Sequence, residues 1–374
     1  MRLTISREAR DLMEQRKQIL RDLWAGKPLE HIPVDIRYEA EPIGTTRAVF
    51  LDGDLQLESA MRGVQATLDR LQWTDAIPAM RPDVGCSCIA SAFGAEYYWA
   101  NESSTPGVKE PLIEDIEDGI DFLPDPQVTD GWLGEGLQRI ARFAEAGEGI
   151  VPISLLDTAG GVNVAADLLG PTALMEAFYL APETLHQLLE KIQQFELKLL
   201  EASVRAAGGE QNITTTDFVD LWFPEGRKGH ISDDMCAMYG PAIYDEFSAP
   251  YHSMVYERYG CGGLHNCGPN PCAERYVAQR FSPRCLDLAY TYSKDDLPML
   301  KQAVKQKAFL YLYWDGKTDP VEWYRGVVEI MDGEVLVLPS FSFSPGTVDP
   351  EEIYRKLREI SREQAARMKW GFLE

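Results

Sequence analysis

The chain has 374 residues, of which 45% are apolar, 25% charged and 10% aromatic, a composition typical of a folded globular protein and not of a disordered one. Thirty-six basic residues against 59 acidic ones give a formal net charge of −23, which disfavours binding to nucleic acids and to anionic membrane surfaces. The length is compatible with two or three domains or with one large α/β barrel.

The cysteines and the N-terminal residues indicate the cellular compartment. Seven cysteines, an odd number in a chain too long to need disulfide staples, are typical of a reducing cytoplasm. The N-terminus is charged from Arg2 onward and lacks the apolar core of an export signal. No run of about 18 uncharged apolar residues is present. We therefore expect a cytoplasmic protein that is neither exported nor embedded in a membrane.

The first third of the chain predicts helices, short strands and a long loop. Ser6 can cap a helix that ends at Gly26, and the apolar run at 32–38 predicts a strand. A second helix is predicted around 59–71. Residues 100–130 are rich in Pro, Gly, Asp and Glu and predict a long loop excursion over the surface.

From about residue 130 onward, helical segments alternate with short apolar ones. Eight strand candidates result over the whole chain, at 32–38, 73–79, 150–157, 229–234, 262–268, 285–291, 308–316 and 335–340. Short apolar strands separated by helices are typical of buried parallel strands, and a count of eight favours closure into a barrel. We predict an α/β fold in which residues 1–374 form a single (β/α)8 TIM-barrel domain with an N-terminal helical extension.

Reactive side chains in such a barrel gather just past the C-terminal ends of the strands. The predicted strand ends carry a set of polar and reactive residues: Asp157, Asp233, Asp234, His265, Cys267, Asp287, Tyr290, Tyr292, Asp315, Ser340 and Ser342. The pair His265 and Cys267 is the sharpest signal, because residues two apart in an extended segment point to the same side. A nitrogen and a thiolate together suit zinc, but a zinc site needs at least one more protein ligand.

Structural roles compete with this interpretation. Taken alone, the spacing of His265 and Cys267 is more typical of a buried histidine beside an inert cysteine than of a metal site. Asp233 and Asp234 could bind a cationic group or transfer a proton, or one of them could cap the next helix. Asp75 at a strand boundary is most simply a turn or capping residue.

Several other candidates are assigned to structure. His230, His252, His186 and His31 have no obvious partners in the sequence, and the pairs Gly160-Gly161 and Gly262-Gly263 are interpreted as turn glycines.

The motifs, taken together and in order, resemble the uroporphyrinogen decarboxylase superfamily, which includes cobalamin-linked methyltransferases. The resemblance spans about residues 20–365 and rests on an ordered series that includes Lys27-Pro-Leu-Glu-His-Ile-Pro-Val, Leu156-Asp-Thr-Ala-Gly-Gly, Ile231-Ser-Asp-Asp-Met, Leu264-His-Asn-Cys-Gly and Gly316-Lys-Thr-Asp-Pro. It implies a (β/α)8 barrel with a deep cleft, as the strand count also predicts.

The resemblance also implies roles for particular residues. Asp75 matches the acid that holds the pyrrole NH groups of the substrate in the decarboxylases. His265 and Cys267 match the pair of zinc ligands in the methyltransferases, in which zinc activates a thiol that attacks a corrinoid-bound methyl group. The resemblance thus favours a metal site, with Asp75, Asp233 and Asp234 orienting the substrate or moving its proton.

The chain departs from both branches of the superfamily. The arginine-rich segment of the decarboxylases is missing, since Arg37 and Arg47 stand isolated among acids. The third zinc-ligating cysteine of the methyltransferases is also missing, since Phe341 lies at about that position. Candidates for the third ligand are Cys272, Cys261 and Cys285, none of which the sequence places near the pair.

These observations lead to three hypotheses. The first is a zinc enzyme that transfers a methyl group between a small methylated substrate or thiol and a corrinoid carried by a partner protein. The second is decarboxylation of a tetrapyrrole without a cofactor, with Asp75 stabilising a protonated pyrrole. The third is a non-catalytic protein that binds a corrinoid or tetrapyrrole. Each hypothesis makes a small molecule the main ligand, and a homodimer is one assembly compatible with all three.

Overall fold

The structure is a computed structural model that describes residues 2–371, apart from the side chain of residue 118. It confirms the predicted α/β fold, a (β/α)8 barrel with helices packed around a parallel sheet. The strands are β1 Asp35–Tyr38, β2 Tyr97–Tyr98, β3 Gly107–Val108, β4 Gly229–Ser232, β5 Cys261–Asn266, β6 Cys285–Ala289, β7 Phe309–Tyr313 and β8 Val337–Phe343. Strands β2 and β3 form a small antiparallel pair outside the barrel.

Six strands form one continuous parallel sheet in the order β1-β8-β7-β6-β5-β4. Two short extended segments, around Met80 and Ile153, extend the barrel wall beyond β1. An isolated parallel bridge joins them to each other. Asp75 N donates to Val34 O at 2.9 Å, which joins the first of these segments to the residue before β1. The predicted strands at 73–79 and 150–157 therefore lie in the barrel wall, although both are short.

A further extended segment at 213–216, which the sequence did not predict, lies between Ile153 and β4. Ile153 pairs with Ile213 through a second parallel bridge, and Thr216 N donates to Lys228 O at 2.9 Å. These contacts close the ring. All barrel strands are parallel, so their C-terminal ends form one rim of the barrel, here called the mouth.

Helices alternate with the strands and cover the outside of the barrel. They are α1 Arg7–Trp24, α2 Thr46–Leu51, α3 Gly53–Leu68, α4 Cys88–Ala92, α5 Ile116–Gly119, α6 Leu133–Ala146, α7 Gly161–Leu169, α8 Pro171–Leu180, α9 Pro182–Ala206, α10 Pro241–Ile243, α11 Ala249–Tyr259, α12 Ala273–Tyr276, α13 Tyr290–Ser293, α14 Leu297–Val304, α15 Pro320–Met331 and α16 Pro350–Arg367. Five short 3₁₀ segments and one π-helical turn, Tyr244–Ser248, complete the described helical structure.

The N-terminal helical extension and the loop excursion are both present. Helix α1 begins after Ser6, whose Oγ accepts from Ala9 N at 3.0 Å as predicted for an N-cap. Residues 100–130 contain only β3, α5 and a 3₁₀ turn, Ile120–Phe122, between irregular stretches. Within the described residues, no helix has both the length and the apolar character needed to cross a lipid bilayer.

Candidate metal centre

Three side chains with metal-ligating atoms converge at the mouth of the barrel. His265 is on β5, Cys267 follows β5 directly, and Asp234 follows β4. Nε2 of His265 lies 3.3 Å from Sγ of Cys267 and 3.7 Å from Oδ1 of Asp234, and the three ligating atoms all lie within 4.8 Å of one another. The prediction that His265 and Cys267 face the same point is thereby met, with Asp234 as the third member of the group.

The donor set and its spacing fit zinc. Imidazole nitrogen, thiolate sulfur and carboxylate oxygen are the three zinc ligand types found in proteins. In a tetrahedral zinc site the bound nitrogen and sulfur lie about 3.6 Å apart, and a bound nitrogen and oxygen about 3.4 Å apart. The observed separations of 3.3 Å and 3.7 Å are close to these values. A group of three protein ligands would also leave a position for a substrate, as in catalytic zinc sites.

Asp287 lies directly behind the histidine. Residues His265 and Asp287 are register partners on the parallel strands β5 and β6, so their side chains are neighbours on the same face of the sheet. Oδ2 of Asp287 lies 3.2 Å from Nδ1 of His265, the ring nitrogen that points away from Cys267. This carboxylate–histidine contact fixes which ring nitrogen faces the candidate site, a common feature of metal-binding histidines.

The contacts continue into the barrel interior. Oδ2 of Asp287 is 3.6 Å from Nε2 of His230, and Nδ1 of His230 is 3.4 Å from Oδ2 of Asp217. Burial favours the neutral carboxyl of Asp287, but His265 and His230 outweigh it and lower the pKa of Asp287 to about 2. Burial also disfavours the charged form of His230, yet Asp217 and Asp287 raise the pKa of this imidazole above its ordinary value. His230 therefore has partners that were not apparent in the sequence.

The three candidate ligands open into a cleft of about 810 Å³. Three carboxylates line it, Asp157, Asp167 and Asp234, whereas no lysine or arginine is among the described lining residues. Phe218, Tyr313 and several small apolar residues form much of the remaining wall. Mostly apolar walls with a few polar groups converging at one point are typical of small-molecule sites.

Asp157 is the acid with the most perturbed ionisation in this cleft. Burial and the neighbouring Asp217 raise the pKa of Asp157 to about 7, despite the Arg81 guanidinium at 3.6 Å from its Oδ2. The guanidinium also stacks on Phe218, 4.8 Å from the ring centroid, and Phe218 packs edge-on against His265 at 5.1 Å. Asp157 is thus positioned at the cleft as a group that can exchange a proton near neutral pH.

A second buried acid lies next to this region. Glu196 on α9 is 1% exposed, and its carboxylate accepts from Thr158 Oγ1 and from Gln193 Nε2, both at 2.7 Å. Burial is the main cause that raises the pKa of Glu196 to about 7, and Asp217 acts in the same direction. Glu196 does not line the cleft and belongs to the wall behind it.

The two neighbouring acids Asp233 and Asp234 have different positions. Asp234 is half-exposed and accepts from Cys267 N at 2.7 Å, which holds it next to the other candidate ligands. Asp233 is buried, accepts from Cys236 N at 3.0 Å as the cap of a 3₁₀ turn, and receives the hydroxyl of Tyr239 at 2.9 Å. The structure therefore gives Asp233 the capping position and brings only Asp234 to the cleft.

The structure does not bring Asp75 to the site. Asp75 lies at the N-terminal end of its barrel segment, next to Val34, which is the end opposite the mouth. Its carboxylate accepts from Val34 N at 3.0 Å and Tyr354 OH at 2.9 Å, and it lies 3.2 Å from Nε2 of His31. The expectation that Asp75 orients the substrate or moves its proton is corrected, because the side chain lies at the start of its strand, away from the candidate ligands, and is held by structural partners.

The cysteines suggested as a third ligand lie elsewhere. Cys261 and Cys285 are the first residues of β5 and β6 and lie at the end of the barrel opposite the mouth. Cys272 is buried, with Sγ 3.3 Å from Tyr239 O. Phe341 packs among aromatic rings, 5.3 Å from Trp323. The third member of the group is instead the carboxylate of Asp234, which the sequence analysis had considered for substrate binding, proton transfer or helix capping but not as a metal ligand.

Comparisons with known proteins show what the chain is similar to. No family model matches the sequence, and no curated protein matches it either. Among solved structures, a methyltransferase from Methanosarcina mazei has the same fold, with a TM-score of 0.66 and 17% sequence identity over 94% of this chain and 98% of that chain. At this identity the likeness shows that the two chains share a fold over nearly their whole lengths.

Proposed function

We propose that the protein transfers a methyl group between a small methylated substrate or thiol and a corrinoid. The observation that carries the proposal is the convergence of Asp234, His265 and Cys267 on one point of a mostly apolar cleft. The shared fold with a solved methyltransferase supports the same reaction class.

The three candidate ligands would hold zinc, and Asp287 would keep His265 oriented toward it. Zinc bound there supplies Lewis acidity, which lowers the pKa of a thiol or polarises an ether oxygen. Asp157, with its pKa of about 7, can accept the proton that a thiol loses or return one to the oxygen of a demethylated ether. Phe218 and Tyr313 provide apolar walls for the substrate and exclude water from it.

The structure gives the decarboxylase alternative little support. Its substrate would bring many carboxylates into a cleft lined by three acids and, among the described residues, by no lysine or arginine. The two arginines considered for this role are already paired, Arg37 with Asp35 and Asp220, and Arg47 with Glu102. Asp75, on which that mechanism depends, lies at the other end of the barrel.

A partner protein is part of the proposal. A corrinoid is far larger than a thiol or a methyl ether, so we propose that a separate protein presents it over the mouth of the barrel. The free cofactor, methylcobalamin, can replace that partner in a first assay.

The proposal is tested by metal content and by methyl transfer. The protein is incubated with zinc, desalted and analysed by plasma mass spectrometry, and we expect one zinc per chain. The variants Asp234→Ala, His265→Ala and Cys267→Ala are expected to lose most of it. Anaerobic demethylation of methylcobalamin by 2-mercaptoethanol, followed by visible absorption, is expected to be accelerated by the zinc-loaded protein.

A matched control is available in the same cleft. Cys86 also lines it but does not belong to the group of three, so Cys86→Ser is expected to keep its zinc. A wild-type protein without stoichiometric zinc would refute the proposal. Tight corrinoid binding without methyl transfer to any thiol or from any methyl ether would favour the non-catalytic hypothesis instead.

A further inference from the structure

A chain of imidazole and carboxylate groups runs from the candidate metal ligands into the barrel. It passes from His265 through Asp287 and His230 to Asp217, with separations of 3.2, 3.6 and 3.4 Å. The side chains of the last three residues have no exposed surface. A buried series of this kind needs a positive group beside its carboxylates, because a buried carboxylate without one destabilises the fold.

Metal binding sets the charge that His265 can contribute. Its Nε2 faces Cys267 and Asp234, so a ring that binds a metal through Nε2 is neutral and carries its proton on Nδ1. Such a ring turns an N–H toward Asp287, 3.2 Å away, but brings it no positive charge. Within residues 2–371, the other basic group in contact with Asp287 is His230.

The surroundings of His230 fix its orientation. Its backbone N donates to Thr216 Oγ1 at 2.8 Å, and the same hydroxyl donates to its carbonyl at 2.9 Å. The ring packs against Phe223 at 5.9 Å. A Cβ atom on Gly263 would lie 2.5 Å from Cδ2 of His230, so the absence of a side chain there is what leaves room for the ring.

The carboxylate of Asp217, at the far end of the series, is also held in place. Oδ2 of Asp217 accepts from Ser232 Oγ at 2.7 Å, and its Oδ1 accepts from Phe218 N at 2.9 Å. The imidazole of His230 therefore lies between two buried carboxylates, and Asp217 cannot turn away from it without losing its own hydrogen bonds.

We propose that His230 is a positioning residue for the metal centre: it remains cationic between Asp217 and Asp287, and its contact with Asp287 holds that side chain beside Nδ1 of His265. This inference rests on the proposed function, because it presumes that His265 binds a metal. Asp287, held in this way, orients the imidazole of His265 so that its Nε2 faces the metal.

The test compares zinc affinity in wild type and in His230→Gln, by competition with a chromogenic chelator. Glutamine keeps a hydrogen-bonding side chain but removes the positive charge. We expect zinc binding to weaken by about 10- to 100-fold, the usual effect of losing an outer partner of a metal ligand. The matched control is His31→Gln, because His31 forms a largely buried contact of the same kind with Asp75 at the other end of the barrel. This control is expected to keep wild-type affinity.

Two further measurements test the role of His230 if His230→Gln does not fold. Asp217→Asn removes the far carboxylate with little change in volume and is expected to weaken zinc binding as well. The chain has five histidines, so the spectrum of ¹⁵N-histidine-labelled, zinc-loaded protein is simple. We expect one buried ring, assigned to His230, with both nitrogens protonated.

The outcomes separate the two proposals. A wild-type protein that binds no zinc overturns the proposed function and this inference with it. A wild-type protein that binds zinc while folded His230→Gln and Asp217→Asn bind it within about threefold of wild type overturns only this inference. A neutral His230 ring in the zinc-loaded protein would also overturn it.

Discussion

Replacing Glu196 with glutamine is expected to stabilise the protein at neutral and alkaline pH. The carboxyl of Glu196 is 1% exposed, and its pKa is raised to about 7, mainly by burial. Its ionised form is therefore disfavoured in the folded state. The amide in Glu196→Gln resembles the protonated acid in shape and can still pair with Thr158 and Gln193, but it has no proton to lose.

The sign and size of the effect follow from the pKa in the folded and unfolded states. Between pH 4.5 and about pH 7 the unfolded chain releases the proton of Glu196 while the folded chain keeps it, so the stability of the wild type falls across this interval. Below pH 4.5 both states are protonated, and above about pH 7 both are ionised. The accumulated loss at pH 8 is on the order of 3 kcal/mol.

The assay is urea-induced unfolding followed by circular dichroism at pH 4.5 and at pH 8. Glu196→Gln is expected to have a larger free energy of unfolding than wild type at pH 8, by up to about 3 kcal/mol, and a similar one at pH 4.5. Glu190→Gln, on the exposed side of the same helix, is the matched control and should change little at either pH. A Glu196→Gln variant no more stable than wild type at pH 8 would contradict a raised pKa of Glu196 in the folded state.

Three further predictions concern the site and its surroundings. Gly263→Ala would place a methyl group 2.5 Å from the His230 ring, so we expect a lower melting temperature together with weaker zinc binding in a chelator titration. Asp234→Asn should lose zinc, with the melting temperature of the metal-free protein unchanged, whereas Asp233→Asn should keep its zinc and lose about 1 kcal/mol of stability with its capping interaction. Asp75→Asn should lower the free energy of unfolding in urea by about 1 kcal/mol without changing zinc content. Zinc loss in Asp75→Asn or Asp233→Asn would contradict their structural assignment.

The rule that places reactive groups at strand ends succeeded for several residues. Asp157, Asp234, His265 and Cys267 all line the cleft, and Asp287 lies directly behind His265. The rule works because parallel strands end at one rim, so a residue that follows a strand is near the residues that follow its neighbours. The side on which His265 and Cys267 lie also followed from the two-residue period of an extended chain.

The position of Asp75 could not be found in the same way. The sequence showed an acid at a strand boundary but not whether the strand begins or ends there. The barrel segment continues from Asp75 to Met80, so Asp75 lies at its start, at the end of the barrel opposite the mouth. Which end of such a short segment lies at the mouth depends on the strands beside it in the barrel, and those strands are distant in sequence.

The residues behind the candidate metal ligands were missed for a different reason. Asp217 and Phe218 follow the extended segment at 213–216, whose sequence Ile-Thr-Thr-Thr lacks the apolar run by which buried strands are recognised. This segment stays in the barrel wall through single bridges and through hydroxyl hydrogen bonds such as the one from Thr216 Oγ1 to His230 O. His230 was assigned to structure because its partner Asp217 could not be placed.

X-ray absorption at the zinc edge is the decisive measurement for the proposed metal centre. The zinc-loaded protein is expected to show a single sulfur neighbour at about 2.3 Å, from Cys267, with nitrogen and oxygen neighbours at about 2.0–2.2 Å. The sulfur signal should disappear in Cys267→Ser and persist in Cys86→Ser. Two or more sulfur neighbours, or only nitrogen and oxygen in the wild type, would contradict a centre built from Asp234, His265 and Cys267.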